Sequence, residues 1–522
     1  MFSFIPSWYG KDGSWVRETK PWYRAGEKME FDDAVNQIKI FQMAGEDVEV
    51  ILLSCVPDLR CFLHRERIDE VKVWSVFDQI QNIKGNTPRQ IHLNDFDWPE
   101  EMEWFYTPFV KLGYRNGELY SKNEFSEDGQ WIGTVIFERS VPVRNIRIDD
   151  RGFVSYIEYC QNGEPSWRFF YDRDGKWQIK EDLKGNYVYV NPAVSHRFDR
   201  STYTNMEELI EEVLGKYLEG RPESVLINAF DEKHNELIRR TADGRKTACS
   251  VFSDRTDKLV PSMLENHIRE DRLLVTDTEH LADEIRKMFP SFEKKVLNIS
   301  PYDARLALGK STEIRALKIL FYVDSDVFER YEAALGAIFG YMNENKKTFL
   351  TIGIGRNNKN FFAADEMKIN VEMLKEKTGA EYRIEEEDNN IAENETEEDA
   401  VPRIAIKECR TEKQIIEALS DHRIIVDIDE IPDLYLQIAG ISAGVPLILR
   451  TESQYVSHKE NGWILKSDDE VTEALRYYLN GLANWNQALI WSLRRIGEYT
   501  NGNIVDKWKK AMDSQTDGSD TA

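Results

Sequence analysis

Two doubly wound α/β halves, the first interrupted by an antiparallel sheet, are what the sequence predicts, on three observations. Continuous apolar runs such as residues 48–53 and 317–323 are typical of parallel strands covered on both faces. They alternate with stretches of helical period, residues 206–218 among them. Residues 96–200 break the alternation: this fifth of the chain holds 22 of the 60 aromatic residues, in short strand-like segments separated by turn signals.

Taken in order, residues 2–6 read as a strand that opens into a loop rich in Trp, Tyr and Gly. Asp32 is placed to cap a helix whose apolar positions, Val35, Ile38, Phe41 and Met43, recur at roughly helical spacing, with Gly45 ending it. A strand at 48–53, a helix at 59–68 and a strand at 71–76 follow. The insertion reads as strands at 131–137, 143–148, 154–159, 167–171, 176–179 and 187–190. Turn signals Asp150-Arg151-Gly152, Gln161-Asn162-Gly163, Asp174-Gly175 and Gly185-Asn186 separate them. Helix and strand then alternate through 206–218, 224–227, 231–240, 247–252, 261–269, 273–276, 278–289 and 296–299. A second unit opens with a strand at 317–323 and a long helix at 326–343, then 348–353, 365–377 and 403–406. Residues 484–512 read as helical with a break at Asn501-Gly502-Asn503. The expected organisation is an N-terminal domain of residues 1–95 and 201–312, an insertion of 96–200, and a C-terminal domain of 313–483. A helical segment of 484–512 and a disordered tail of 513–522 complete it.

Charge narrows the partners. The chain has 68 Lys+Arg against 93 Asp+Glu, a net −25, which disfavours nucleic acid and bare anionic membrane. Nine of the acids crowd into residues 385–399 without a base, either a solvated loop or a docking site for a basic partner. Five cysteines are too sparse for a disulfide scaffold, and Cys55 and Cys61 have no second close pair for a zinc site. The eight histidines show no metal spacing, and His64 reads as part of a loop or packed helix face, so neither metal nor cofactor is expected. Gly309-Lys310-Ser311-Thr312 ends like a phosphate loop, but Ala304 stands where the required glycine would be, and the segment reads as a linker. The N-terminus lacks a signal-peptide pattern and no apolar run is long enough to span a bilayer, so a cytoplasmic protein is expected, reaching a membrane only through partners.

The most informative segment is 423–475, where a strand and a helix lead to Gly444-Val445-Pro446 and then to Asn461-Gly462. It resembles the nucleotide-sugar domain of GT-B glycosyltransferases, which implies two Rossmann-like domains and a donor site. Retaining members of that fold place two glutamates eight apart; here the positions hold Ile431 and Ala439. Glu430 is one residue out of register, a rotation of about 100° on a helix. The donor diphosphate's arginine position aligns with Ser325 and its lysine position falls to Arg330, with Asp324 and Asp326 beside them. The resemblance thus implies a degenerate donor site of Ser325, Arg330, Ile431 and Ala439, no catalytic residues, and no enzyme activity.

The N-terminus carries a second resemblance. Phe4-Ile5-Pro6-Ser7-Trp8-Tyr9, Phe31-Asp32-Asp33-Ala34-Val35-Asn36-Gln37, Ala44-Gly45-Glu46-Asp47 and Leu59-Arg60-Cys61-Phe62-Leu63-His64-Arg65 are similar to the first protein of the accessory Sec system. That family implies a non-catalytic component acting with two further accessory proteins and a specialised SecA motor ATPase to promote export of a glycosylated serine-rich adhesin. An active protein O-glycosyltransferase, or its non-catalytic chaperone subunit, is the alternative. The aromatic insertion likewise admits two readings: rings filling a thin sheet core, or exposed rings, Trp131, Trp167 and Trp177 first, that pack on sugar faces.

Overall fold

The computed structural model describes the chain apart from residues 11–13, 22, 24–30, 127, 243, 254–263, 265–271, 312, 361–362, 381, 386–402 and 515–522. The chain forms two compact units, one of residues 1–276, 285–297 and 510–522, the other of 277–284 and 298–509.

The first unit is built on a seven-stranded sheet with Phe2–Ile5 near its middle. Val48–Leu52 and Lys72–Ser75 lie to one side, and Val225–Ala229, Thr247–Val251, Leu273–Thr276 and Val296–Asn298 to the other. Phe4 pairs in parallel register with both Val50 and Ile227, so strands from before and after the insertion meet on the first strand. The Asp32 carboxylate accepts from the Val35 N–H at 2.8 Å and starts the helix Asp33–Met43, as its position in the sequence predicts.

The insertion is an antiparallel meander of ten strands in strict chain order, from Met102–Tyr106 to Thr202–Tyr203. The sequence predicts six of them. Met102–Tyr106, Lys111–Arg115, Glu118–Phe125 and Thr202–Tyr203 are additional. Charged and small residues in the middle two carry little strand signal on their own, whereas Trp104, Phe105 and Tyr106 do give Met102–Tyr106 the composition of a strand. One face of the later strands packs on the parallel sheet's helices: Phe170, Ile179, Val188 and Val190 join Phe77, Ile80, Leu209 and Ile210 in one core. The Phe77 and Phe170 rings lie 5.3 Å apart, and burying each such ring contributes about 1.5–3 kcal/mol.

The second unit holds a six-stranded sheet, in order Ile404–Glu408, Thr348–Ile354, Leu317–Val323, Ile424–Asp427, Leu447–Leu449 and Gly462–Ile464, all in parallel pairs. Phe321, Val323, Ile352, Val426 and Ile448 form its core with Leu335, Ile338 and Phe339 of the helix Glu332–Glu344. The long helix expected from residue 326 instead begins as a 3-10 turn, Phe328–Arg330. The helical break near the C-terminus falls at Tyr499-Thr500, between Ala483–Glu498 and Asn501–Ser514. Asn501-Gly502-Asn503 therefore opens the last helix, where the Thr500 hydroxyl accepts from the Asn503 N–H at 3.4 Å. That helix also takes in Asp513 and Ser514, which the sequence assigns to the tail.

The linker around Gly309 packs closely: a side chain there would meet the Ser420 carbonyl at 2.3 Å, and Ala307 N–H donates to Ser442 O at 2.8 Å. Most of the expected helix at 261–269, the acidic run after Glu385 and the tail from residue 515 lie outside the described residues. Among those described, no helix is long and apolar enough to cross a membrane, and the five cysteines are free thiols.

Candidate functional site

Open parallel sheets bind ligands in the crevice beyond the carboxyl ends of their strands. In the second unit three neighbouring strands end there. Leu317–Val323 leads into Asp324 and Ser325, Thr348–Ile354 into Gly355, Arg356, Asn357 and Asn358, and Ile424–Asp427 into Asp429 and Asp433.

The loops are laced together by carboxylates. Asp427 is fully buried and accepts the N–H groups of Asp429 at 3.2 Å and Asp433 at 2.9 Å. Asp433 caps the helix Leu434–Ala443 through the Leu436 N–H at 2.7 Å and accepts Arg356 Nε at 2.9 Å. Asp429 accepts the Tyr331 hydroxyl at 2.6 Å and the Asp324 N–H at 3.2 Å. Tyr331 Oη in turn accepts the Ser325 N–H at 2.9 Å. Asp324 accepts the Asn357 N–H and side-chain amide at 2.8 and 2.6 Å. The fit is close: a side chain at Gly355 would meet Asp324 Oδ1 at 2.3 Å.

Neighbouring acids add to burial in raising the proton affinity of Asp324 and Asp427. Burial first, and then Asp433, push Asp324 up to about 6. Asp427 is held well above the usual carboxylate range by burial and by Asp429, and burial raises Asp429 as well. Arg356 neutralises one acid, and Arg330 and Arg450 act on Asp429 through space. An incoming diphosphate meets like charge here, about 1 kcal/mol per pair at 4 Å in water and several times that in a protein crevice. Among the described residues, no cluster of His, Cys, Asp and Glu is arranged to hold a metal ion.

The residues predicted for a degenerate donor site lie on four separate segments of the second unit. Ser325 lies within the network, its Oγ accepting the Val327 N–H at 3.2 Å, and Arg330 is exposed at the end of the 3-10 turn. Ile431 is 60% exposed in the loop after Asp429, and Ala439 sits on the helix Leu434–Ala443. Glu430 points outward, and only its carbonyl is used, accepting the Thr451 hydroxyl at 2.8 Å. Sequence reasoning missed Tyr331, Arg356, Asp427 and Asp433; the recurrence of Asp at 427, 429 and 433 after a strand was the available signal.

The three insertion tryptophans separate. Trp131 is a core ring, 4% exposed, beneath Leu93, Phe96 and Trp98, with its Nε1 donating to Gly133 O at 3.0 Å and Thr134 Oγ1 at 2.9 Å. Its burial corrects the expectation of a sugar platform. Trp167 and Trp177 are half-buried, near Tyr189 at 6.0 Å and Phe169 at 5.8 Å, and Lys180 lies 5.0 Å from the Trp167 ring. His64 is on the helix Leu59–Arg65 but exposed, not packed.

Residues 1–515 match the sequence model of the first accessory Sec system protein of the Asp series. The chain belongs to that family. The family member of Streptococcus gordonii is 33% identical to this accessory Sec chain over 530 residues, covering 99% of it and 100% of the relative. A crystal structure of accessory secretory proteins 1, 2 and 3 of Streptococcus pneumoniae contains a chain 30% identical, with a TM-score of 0.77 over 99% of this accessory Sec chain and 100% of that one. The pneumococcal O-GlcNAc transferase GtfA, solved with UDP and GlcNAc, is 11% identical with a TM-score of 0.66, covering 99% of each chain. That likeness shows a GT-B-like fold for the accessory Sec chain and nothing of its chemistry.

Proposed function

We propose that this chain is a non-catalytic, glycosyltransferase-like component of an accessory Sec export system. It assembles with two companion accessory proteins, engages the SecA-type motor, and promotes export of a glycosylated serine-rich adhesin, reaching the membrane from the cytoplasm through those partners. The observation that carries the absence of catalysis is the carboxylate lacing of Asp324, Asp427, Asp429 and Asp433, in a crevice where a donor diphosphate would have to lie. Assembly is supported by the pneumococcal relative, whose crystal contains accessory secretory proteins 1, 2 and 3.

Two measurements test this. Titration calorimetry with UDP-sugars is expected to give no heat, with no sugar transfer to a serine-rich acceptor. Co-expression with the companion proteins is expected to yield a stable complex. Micromolar UDP-sugar binding accompanied by transfer would overturn the non-catalytic reading, and a chain that purifies away from both companions would overturn assembly.

A further inference from the structure

At the other end of the second unit's sheet, where the strands begin, an arginine is buried without an acid. Arg423 is 7% exposed and immediately precedes the strand Ile424–Asp427. Its N–H donates to Lys318 O, and its carbonyl accepts Trp485 Nε1, each at 2.8 Å, so its backbone is fixed from two sides. The guanidinium lies 5.2 Å from the Trp485 ring centre; Nη2 reaches Ile314 O only at 3.5 Å, and Nε has no hydrogen-bond partner. Among the described residues no carboxylate pairs with it, and burial lowers its proton affinity with no acid opposing. Arg151 and Arg168, similarly buried, are each held by two carboxylates.

Arg423 lines a cavity of about 200 Å³ with Leu317, Tyr478, Leu479, Gly481, Leu482 and Trp485. Leu482, 60% exposed, caps the start of the helix Ala483–Glu498, and Ile490 and Leu493 on that helix are 45% and 43% exposed. Leu482, Ile490 and Leu493 are spaced as one helical face, with the polar Asn486 between the first two, so an apolar stripe interrupted once runs on from the cavity for about 16 Å. The cavity holds one or two side chains, and the stripe is longer than a small metabolite. A carboxylate seated on Arg423 would supply the charge-assisted hydrogen bonds that the fold leaves unmade.

We infer that this cavity and stripe dock a segment of a companion protein, with an Asp or Glu side chain on Arg423 and apolar side chains along Leu482, Ile490 and Leu493. The inference rests on the reading that the chain works in an assembly.

The test uses the full chain with the two purified companion accessory proteins as probe. A photo-crosslinking benzoylphenylalanine at Leu482 is expected to react with a companion segment that carries an acid beside apolar residues. Arg423→Gln is expected to weaken assembly about thirtyfold or more, the size seen when a buried charge pair loses a partner. The isolated R423Q chain should melt no lower than wild type, since it loses a buried charge that no acid compensates. Leu482→Asp, at an exposed position, should weaken assembly without touching the fold. Assembly as tight as wild type in both variants, or a formed complex without a crosslink at 482, overturns the docking face alone. Failure of the wild-type chain to assemble overturns the assembly reading, and this inference with it.

Discussion

The hydroxyl of Tyr331 donates to the Asp429 carboxylate at 2.6 Å while accepting the Ser325 N–H at 2.9 Å, joining the loops that follow two neighbouring strands. In a site built to receive a diphosphate, backbone N–H groups of this kind are left for the ligand. Here Ser325 N–H is taken by a phenol, Asp324 N–H by Asp429, and Asp429 N–H by Asp427. These three donors are satisfied internally, two by aspartates and one by a tyrosine hydroxyl. The same contacts that hold the fold together thus disfavour the ligand.

Tyr331→Phe leaves the ring in place and removes the donor to a buried carboxylate. A hydrogen bond to a charged group contributes about 1.5–3 kcal/mol, and a loss of that size is expected in urea unfolding at neutral pH. A change within experimental error would show that Asp429 finds another donor.

Asp324 gives the fold a pH dependence opposite to that of a salt-bridged acid. Its proton affinity rises from 3.8 to about 6 on folding, so between those values the folded chain binds the extra proton. Its contribution to stability is therefore greatest below about pH 4, falls as pH rises, and levels off above about 6. Asp324→Asn is expected to flatten that decline and to stabilise the chain by roughly 1–2 kcal/mol at pH 7.5, the lost acceptor for Asn357 offsetting part of the gain. Melting curves across pH 4–8 check it; an unchanged slope would assign the dependence to Asp427 and Asp429.

Restoring the missing glutamates is not expected to restore donor binding. Ile431→Glu with Ala439→Glu supplies the two carboxylates of the transferase pattern but leaves Asp324, Asp427, Asp429 and Asp433 beside the diphosphate position, and adds further negative charge. Calorimetry with UDP-GlcNAc should stay flat for the double variant. Binding by that variant would place the defect at the two lost glutamates, not in the aspartate lacing.

How far the sequence reveals this depends on the range of the interactions. The buried strand Leu317–Val323 has the bounds its apolar run predicts, because burial on both faces leaves a local signature. Lys111–Arg115 and Glu118–Phe125 do not, since their place in the meander is imposed by neighbours more than by their own residues. The crevice is harder still. Asp324 and Asp429 are 105 residues apart and meet because Tyr322 pairs with Asp427 in the sheet register. Spacing against a transferase pattern could flag Ile431 and Ala439 as missing acids, but not that other acids had filled the crevice.

The meander's tryptophans should separate by their packing. Trp131→Ala removes a buried ring and its two hydrogen bonds and is expected to cost about 3–5 kcal/mol. Trp167→Ala, at a half-buried position, should cost about 1 kcal/mol or less. Denaturant midpoints of the two variants decide the matter, and only the Trp167 and Trp177 variants can report on glycopeptide binding without unfolding the sheet.

Arg151 offers the sharpest test of how the insertion is held. It sits on the turn after the strand Val141–Asp149, 4% exposed, and donates through both terminal nitrogens to Asp78 at 2.7 and 2.8 Å, on the helix Val76–Ile80 of the parallel layer. Its Nε also donates to Asp149 at 2.7 Å, and Asp150 beside it takes the Arg60 guanidinium at 2.9 Å. Burial and Asp149 push Asp150 up to about 6, so the turn already carries more negative charge than it accommodates easily. Arg151→Ala leaves Asp149 and Asp78 without their cation and is expected to cost about 3–5 kcal/mol, whereas Asp78→Asn keeps one acceptor and should cost less. If the arginine acts as a clamp between layers, the R151A loss should appear as faster hydrogen exchange in Val141–Asp149 and Val76–Ile80 together. Exchange that quickens in the meander alone would mean the turn is stabilised locally and the two layers are held by Phe77 and Phe170.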